Sequence, residues 1–391
     1  MRILLLTHGL PRPLTDGYNL RIEHYVRRLA QRHEVHLVSL DVGELPPDAE
    51  QLFASVKTVP VRQPPSASNP LQRLRWAFSV DQVYDCDPAV HETVRAVAEQ
   101  VRPDVVWISG WVMLGYAEAV AGIPILGDVI DEGAEEARVI HSQAVGLRDK
   151  LVTRKRWYML RAFERHFFPK AKLICLVSDA DRDFVQRDVP GLNLRVVHNG
   201  VDPDHFRPLG EQPLHPSLVF EGTMAHVPNA EGIVHFWRTT WPQVREAFPE
   251  ASLTICGRDP LPEVQALDRE DGIEVTGFVD DVRPYVDRAS AFISPLIGGA
   301  GIKNKVLQAW AMAKAVIATP LSSGGLDCRP GENIVVAEPG ASFGRAVIEV
   351  LGDDALRQRL GEGGRRTVLD RYSWDAKTLE LEACLEEAAG S

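Results

Sequence analysis

The chain has 391 residues, a length that predicts two domains rather than one hydrophobic core. Its composition of 45% hydrophobic and 25% charged residues is typical of a soluble globular protein, and the formal net charge of −11 argues against general nucleic-acid binding. The five cysteines lie far apart without a Cys-x-x-Cys pair. We therefore expect reduced thiols in a cytoplasmic protein, with neither a disulfide framework nor a metal site.

Short apolar runs bounded by turn residues alternate with amphipathic helical patterns along the chain. The runs predict strands at residues 2–8, 34–40, 103–109, 124–130, 172–178, 194–200, 218–224, 252–257, 273–278, 290–296, 315–320 and 333–338. The clearest helical patterns lie at 18–32, 234–247, 343–351 and 355–369. Because several runs are apolar almost throughout, we expect an α/β protein with parallel sheets covered on both faces.

The alternation of strands and helices starts twice, which predicts two doubly wound, Rossmann-like domains that face a central cleft. The proline-rich segment 207–216 is the best boundary between them. The predicted organisation is an amino-terminal domain over 1–207, a linker over 208–216, a carboxyl-terminal domain over 217–375 and a final helix over 376–391. That helix is expected to return to the amino-terminal domain.

The segment 294–320 holds the strongest candidate site. A strand is followed by a loop with three glycines, Gly298, Gly299 and Gly301. A helix then begins near Lys303 and Lys305, and two cations at the positive end of a helix repel each other unless they share an anion. This pattern predicts a phosphate or diphosphate site, where Gln308 on the same side of the helix would bond a sugar hydroxyl. The alternative is a glycine-rich loop whose lysines simply reach solvent.

At this point the sequence resembles the family-4 glycosyltransferases, enzymes with the GT-B fold. The matching stretches are VVHNGVDPDHFRP (196–208), LVFEGTMAHVPNAEGIVHF (218–236), VTGFVDDVRPYV (275–286), GAGIKNKVLQAWAMAKAVIAT (299–319) and RYSW (371–374). The resemblance covers nearly the whole chain and is specific from about Ser178 onward. It implies transfer of a sugar from a nucleotide-diphosphate sugar to an acceptor hydroxyl, with retention of configuration and without a metal ion or a cofactor.

The resemblance also implies a donor site in the carboxyl-terminal half. The leaving diphosphate would be stabilised by Lys305 and Lys303. The other donor contacts would come from Gly222, Thr223, Gly277, Phe278, Val279, Gly299, Gly301 and Gln308. Many relatives place Arg and Lys just beyond the equivalent of Thr223, where this chain has Ala225, His226 and Val227. The two lysines would therefore supply most of the positive charge.

In the amino-terminal half, the resemblance places four residues on the acceptor and sugar side: Asp16, Gly17, Arg21 and Trp111. Arg21 would either reach a phosphate or an acidic acceptor, or be an ordinary surface arginine. Trp111 lies close to where many relatives have a histidine, and it would either stack on a sugar ring or pack at a strand end.

Residues 147–172 contain nine Lys and Arg against two acidic residues, with five aromatic side chains between them. Such a segment would lie on an anionic membrane surface or bind an acidic acceptor. Alternatively, its aromatic side chains would pack on the sheet while its basic face is solvated.

Three other functions remain open from the sequence. A GT-B epimerase or phosphorylase would use the same donor pocket, and a non-catalytic protein would bind the nucleotide sugar without turnover. A dinucleotide-dependent oxidoreductase is the weakest alternative, because no Gly-x-Gly-x-x-Gly follows the first strand of either half.

Overall fold

The computed structural model describes residues 1–11, 17–40, 43, 45–60, 87–130, 133–144, 146–211, 214, 216–298 and 304–390. The chain divides into two compact units, each with its own parallel sheet. The first unit comprises Met1–His198 and Lys377–Ser391, and the second comprises Asn199–Ala376. The predictions for Asp16, Gly299, Gly301 and Lys303 lie outside the described residues.

The described part of the first unit has a seven-stranded sheet in the order β3-β2-β1-β4-β5-β6-β7. The strands are β1 Arg2–Thr7, β2 Glu34–Ser39, β3 Ser55–Thr58, β4 Val105–Ser109, β5 Ile125–Val129, β6 Leu173–Leu176 and β7 Leu194–Val196. The central strands β4 and β5 are buried along their whole length. This burial agrees with the apolar runs from which they were predicted.

Helices cover this sheet, and local sequence signals explain where they begin. They are α1 Gly17–Leu29, α2 Pro47–Glu50, α3 Pro88–Val101, α4 Gly133–Gln143, α5 Leu147–Phe167 and α6 Asp179–Asp188, with 3-10 segments at Trp111–Val120 and Phe168–Lys170. The side chain of Asp87, for example, accepts a hydrogen bond from the backbone N–H of Ala89, with Pro88 in the first turn.

The second unit has a six-stranded sheet within its described residues, in the order β10-β9-β8-β11-β12-β13. The strands are β8 Ser217–Glu221, β9 Ser252–Cys256, β10 Ile273–Gly277, β11 Ala291–Ser294, β12 Ala315–Ala318 and β13 Val335–Val336. The helices are α7 Val227–Thr239, α8 Trp241–Ala247, α9 Pro262–Gln265, α10 Arg283–Arg288, α11 Asn304–Ala311, α12 Pro320–Ser323, α13 Ala341–Gly352 and α14 Asp354–Thr367. A 3-10 segment lies at Ala266–Arg269 and a π-helical turn at Val368–Tyr372.

The last helix, α15 Trp374–Ala389, begins in the second unit, and its residues from Lys377 onward belong to the first. Within the first unit, Glu382 bonds His33 Nε2 at 2.6 Å and Arg32 Nη2 at 2.6 Å. Glu387 accepts a hydrogen bond from Arg195 at 2.8 Å. These contacts join the end of the chain to elements that lie hundreds of residues earlier.

The structure differs from the sequence-based prediction in two elements. The helix expected over 234–247 is two helices, α7 and α8, because Pro242 cannot donate a backbone hydrogen bond within a continuous helix and instead lies in the first turn of α8. Strand β3 was not predicted. The first stretch of the first unit ends at His198, and residues 199–207 belong to the second unit, where the backbone N–H of Val201 donates to the carbonyl of Tyr372 at 2.8 Å.

Candidate functional site

Three loops at the carboxyl ends of β8, β9 and β10 lie side by side in the second unit. The backbone N–H of Gly257 donates to the carbonyl of Gly277 at 3.0 Å, and that of Met224 donates to the carbonyl of Arg258 at 2.9 Å. A Cβ on Gly257 would overlap the carbonyl oxygen of Gly222, and Gly257 has a φ of 155°, which side chains rarely adopt. The loops can approach this closely because glycine has no side chain.

Lys305 places its ammonium group against these loops. It lies in the first turn of α11, and its Nζ donates a hydrogen bond to Asn229 Oδ1 at 2.8 Å. The same atom lies 4.5 Å from the centre of the Phe220 ring, a favourable cation–π distance. A Cβ on Gly222 would lie only 2.7 Å from this nitrogen. The structure thus brings together Lys305 and Gly222, two of the residues predicted to contact the donor.

Asn229 is a site residue that the sequence analysis missed. It is buried near the start of α7, and its amide bonds two partners at once. Its Oδ1 accepts the bond from Lys305, and its Nδ2 donates to the carbonyl of Thr223 at 2.9 Å. Asn229 therefore fixes both the ammonium and the loop after β8. The signal in the sequence was a polar side chain in the first turn of the helix that follows this loop.

Glu221, the last residue of β8, makes the electrostatics of the site dependent on protonation. Burial raises the pKa of this carboxyl, and the nearby positive charge of Lys305 acts in the opposite direction. An anion that binds beside Lys305 removes part of this compensation. We therefore expect Glu221 to be more readily protonated when the site holds an anion.

Arg258 is a second residue that the sequence analysis missed. It lies two residues after β9, its carbonyl accepts a hydrogen bond from the backbone N–H of Met224, and it is exposed. Among the described residues its guanidinium has no hydrogen-bond or ion-pair partner. The loop after β8 lacks the expected basic residues, so Arg258 is a cation available from the neighbouring loop. The signal was the Cys-Gly-Arg sequence at the end of a predicted strand.

The remaining predicted donor residues follow the same edge of the sheet. Phe278 comes directly after β10 and is 70% exposed, which is unusual for a large apolar side chain, while Val279 beside it is half-buried. Thr223 is exposed in the loop after β8. Gln308 lies one turn after Lys305, and its side-chain amide makes no hydrogen bond with the described residues. These positions are therefore compatible with the predicted contacts, which stay predictions.

In the first unit, Arg21 is neither solvent-exposed nor open to a ligand. Its Nη2 and Nε bond the carboxylate of Asp128 at 2.9 and 3.3 Å, and both side chains are 0% exposed. Its Nη1 donates to the carbonyl of His198 at 3.3 Å, and its guanidinium lies 4.8 Å from the Tyr25 ring centre. Burial opposes the charge, but the Asp128 carboxylate outweighs it and raises the pKa of Arg21. These bonds occupy the donors that a phosphate would need.

Trp111 lies two residues after the carboxyl end of β4, and it makes the packing contacts expected of a tryptophan that packs at a strand end. Its indole meets the Phe163 ring edge to face at 5.5 Å, and a Cβ on Gly133 would lie 2.8 Å from it. The ring is only half-buried, so part of it remains open to a ligand. Gly17 begins α1 and is exposed.

Neither a metal-binding cluster nor a membrane-spanning helix occurs in the parts of the chain that the structure describes. No group of three or more His, Cys, Asp or Glu side chains there is arranged to hold a metal ion. No helix there is both long and apolar enough to cross a bilayer.

Comparison with known families accounts for both units. Residues 15–205 match the family described as Glycosyltransferase Family 4, and residues 215–353 match Glycosyl transferases group 1. The chain belongs to glycosyltransferase family 4. This confirms the family that the motifs resemble, and with it the expectation of an enzyme.

Solved structures confirm the GT-B fold of this glycosyltransferase. It is similar to a sucrose-phosphate synthase from Thermosynechococcus elongatus, with 17% identity, a TM-score of 0.68 and 100% of each chain covered. It is also similar to HepE from Anabaena, solved in complex with UDP, with 14% identity, a TM-score of 0.71 and 99% and 100% of the two chains covered.

A curated relative matches over a shorter length. The lipopolysaccharide core biosynthesis glycosyltransferase LpsE from Rhizobium meliloti is 29% identical over 108 residues, which is 27% of this chain. The chain spans about a third (32%) of the length of LpsE.

Proposed function

We propose that this glycosyltransferase moves a sugar from a nucleotide-diphosphate sugar to an acceptor hydroxyl, with retention of configuration and without a metal ion or a cofactor. In this proposal the second unit binds the donor at the carboxyl edge of its sheet. Ligands of doubly wound sheets bind at this edge.

The observation that carries the proposal is the fixed position of the Lys305 ammonium. Asn229 and the Phe220 ring hold it beside Gly222, at the amino-terminal end of α11. A preformed cation next to close-packed backbone and a helix start is suited to a diphosphate, because no side chain has to reorganise when the charge arrives. Structures of HepE with UDP and with UDP-glucose support a nucleotide sugar as the donor.

The chemistry requires stabilisation of the leaving diphosphate while positive charge develops on the sugar carbon. The growing negative charge would be stabilised by Lys305, Lys303 and the backbone N–H groups at the start of α11. The backbone of Gly222 and Thr223 would contact the diphosphate from the neighbouring loop. Arg258 would add a second cation from the loop after β9. In this way side chains would supply the positive charge that a metal ion supplies in other transferases.

The rest of the donor would follow the edge of the sheet away from Lys305. The amide of Gln308 would bond a ribose hydroxyl, since it lies on the same side of α11 as Lys305. The base would lie against the loop of Gly277, Phe278 and Val279, where the exposed Phe278 ring offers a flat surface for stacking.

Isothermal titration calorimetry with UDP, GDP, dTDP and ADP tests the donor site. At least one nucleotide is expected to bind, and Lys305→Ala is expected to weaken that binding by about 10- to 100-fold. This range corresponds to about 1.5–3 kcal/mol, the contribution of one hydrogen bond to a charged group. Arg366→Ala is a matched control, because Arg366 is an exposed cation of the second unit that lies on α14.

Binding that is unchanged in Lys305→Ala would contradict the proposed phosphate site. Transfer is then tested by incubating the sugar donor of the preferred nucleotide with a panel of hydroxyl acceptors and determining the anomeric configuration of the product by NMR. An inverted product would contradict retention. Activity that is abolished by EDTA and restored by Mg²⁺ would contradict metal independence.

A further inference from the structure

Two cysteines of the first unit lie against each other, although more than half of the chain separates them. Cys175 lies in β6, and Cys384 lies in α15. Both are free thiols, and the thiol of Cys175 donates a hydrogen bond to the sulfur of Cys384. Neither takes part in the proposed donor site, which belongs to the second unit. Two free thiols in contact are the reactants of a disulfide bond.

The register of the sheet explains why these two thiols meet. Cys175 is paired in register with Arg195 of β7, so their side chains point to the same face of the sheet. The guanidinium of Arg195 donates to the two carboxylate oxygens of Glu387 at 2.8 and 3.1 Å. Glu387 lies about one helical turn after Cys384, so both project from the same side of α15. This ion pair therefore holds that side of the helix over β6 and β7.

Contacts on both sides of Cys384 along the helix keep α15 in this position. Before it in the chain, Glu382 accepts a hydrogen bond from Arg32 at 2.6 Å. After it, a Cβ on Gly390 would lie 3.3 Å from the Nζ of Lys172, which directly precedes β6. The fold thus holds the two sulfurs together, and groups held in contact react with each other faster than with groups of another molecule.

The two thiols differ in exposure and in acidity. Cys175 is 0% exposed, whereas Cys384 is 7% exposed. The hydrogen bond to Cys384, together with burial, raises the pKa of Cys175, and the same hydrogen bond lowers the pKa of Cys384. Because the thiolate is the nucleophilic form of cysteine, Cys384 is the thiol that reacts first with a small oxidant. Cys175 is then the resolving thiol.

We propose that Cys175 and Cys384 form an oxidation-sensitive site, at which a peroxide joins α15 to β6 through a disulfide bond. The Cys384 thiolate attacks one oxygen of hydrogen peroxide and becomes a sulfenic acid, the O–O bond breaks, and the other oxygen takes up a proton and leaves as water. The Cys175 sulfur then attacks the sulfenic sulfur. The S–S bond forms, the S–O bond breaks, and the hydroxyl leaves as water with the proton of Cys175. The thiols lose two electrons, and the peroxide is reduced to two water molecules.

The disulfide changes how the last helix is held. In the reduced chain only noncovalent contacts hold α15 on the first unit, so the helix opens locally when they break. In the oxidised chain it stays joined to β6. The inference is independent of the proposed transferase function, since it concerns thiols of the first unit alone.

Peptide mapping of the full chain tests the pairing. The reduced chain is treated with hydrogen peroxide near neutral pH, the remaining thiols are alkylated in denaturant, and a tryptic digest is analysed by mass spectrometry without reductant. Trypsin releases residues 173–182 and 378–391, each of which contains one cysteine. The expected product is these two peptides joined, lighter than their sum by two hydrogen atoms and separated by dithiothreitol. Cys384→Ser is expected to lose it, and Cys328→Ser, a change at a half-buried free thiol of the second unit, is expected to keep it.

Trapping with dimedone tests which thiol reacts first. In Cys175→Ser the new hydroxyl can still donate a hydrogen bond to Cys384, and the sulfenic acid of Cys384 is expected to accumulate as the dimedone adduct. In Cys384→Ser, at least tenfold less adduct is expected at Cys175, which is 0% exposed. The reverse pattern would overturn the assigned order of the two steps.

Amide hydrogen exchange tests the effect on the helix. Amides of residues 378–389 are expected to exchange at least tenfold more slowly in the oxidised chain than in the reduced chain, and peroxide treatment of Cys384→Ser should not slow them. Unchanged exchange in a chain with the mapped disulfide would refute the effect on α15. The site itself would be overturned if the joined peptide formed only in denaturant, if either thiol paired with another cysteine, or if peroxide oxidised Cys328 and left Cys175 and Cys384 unlinked.

Discussion

Replacing Arg21 with methionine tests whether its buried guanidinium is a structural element of the first unit. The substitution removes the ion pair with Asp128 and the hydrogen bond to the carbonyl of His198. Since both side chains of the pair are 0% exposed, the Asp128 carboxylate would remain buried without its countercharge. Breaking a buried ion pair in this way costs about 3–5 kcal/mol, whereas breaking an exposed pair costs about 1 kcal/mol or less.

Amide hydrogen exchange followed by mass spectrometry can measure this loss within one unit of the chain. Amides of β1 and β5 that exchange only when the first unit opens report the free energy of that opening. At 1.4 kcal/mol per factor of ten, the loss corresponds to exchange roughly 100- to 4,000-fold faster. Arg182→Met is the control, because its ion pairs with Asp179 and Asp183 are exposed and their loss is expected to accelerate exchange about fivefold at most.

The double variant Arg21→Met with Asp128→Leu separates a structural role from a ligand-binding role. Replacing both members of a buried pair with apolar side chains is often neutral, so most of the exchange protection is expected to return. Transferase activity should return with it if Arg21 is structural, and a protected but inactive double variant would show that Arg21 also acts on a ligand. Exchange in the single variant that is less than tenfold faster would refute the reasoning from burial.

Two further predictions concern the second unit. Gly257→Ala is expected to abolish nucleotide binding in calorimetry, because its Cβ would overlap the carbonyl of Gly222. Gly352→Ala at the end of α13 is the control and should bind normally, because its Cβ would make an ordinary contact with Phe248 at 3.9 Å. Equal binding by both variants would contradict the close packing of the loops. Glu221→Gln is expected to raise the thermal stability of the ligand-free chain near pH 7 and to have little effect near pH 4. Because the pKa of Glu221 is raised in the folded chain, the folded chain keeps a proton that the unfolded chain releases above about pH 4.5. The free energy of unfolding therefore falls as the pH rises from there through the folded pKa. Identical pH profiles of Tm for the variant and the unsubstituted chain would refute this.

The strands and their parallel arrangement were predictable because their signals are local. Each of the apolar runs from which a strand was predicted forms one, since burial on both faces of a sheet requires nearly continuous apolar sequence. Strand β3 escaped the same reasoning because it is a four-residue edge strand whose residues are exposed or only half-buried. The helix over 234–247 was predicted as one element because its apolar period continues across Pro242, which ends one helix and begins another.

The candidate site was predictable only in part. Lys305 was predicted because a cation at the positive end of a helix departs from a local rule, and Gly222 was predicted from the family resemblance. Asn229 was not found, because its role depends on a contact with Lys305, which lies 76 residues away. Arg258 was missed for a similar reason, since only the packing of the loops after β8 and β9 brings it to the site.

The sequence by itself determined the two-sheet architecture, the family and the segment that contains Lys305, because hydrophobic period, glycine spacing and helix-end charge are properties of neighbouring residues. The tertiary structure decided which polar groups pair. Arg21 is buried because α1 packs so that Asp128, 107 residues away, meets its guanidinium, and Arg161 and Arg165 of α5 are neutralised because Asp188 of α6 lies against them. Pairings over such separations depend on the order of strands in the sheet, and no local pattern encodes them.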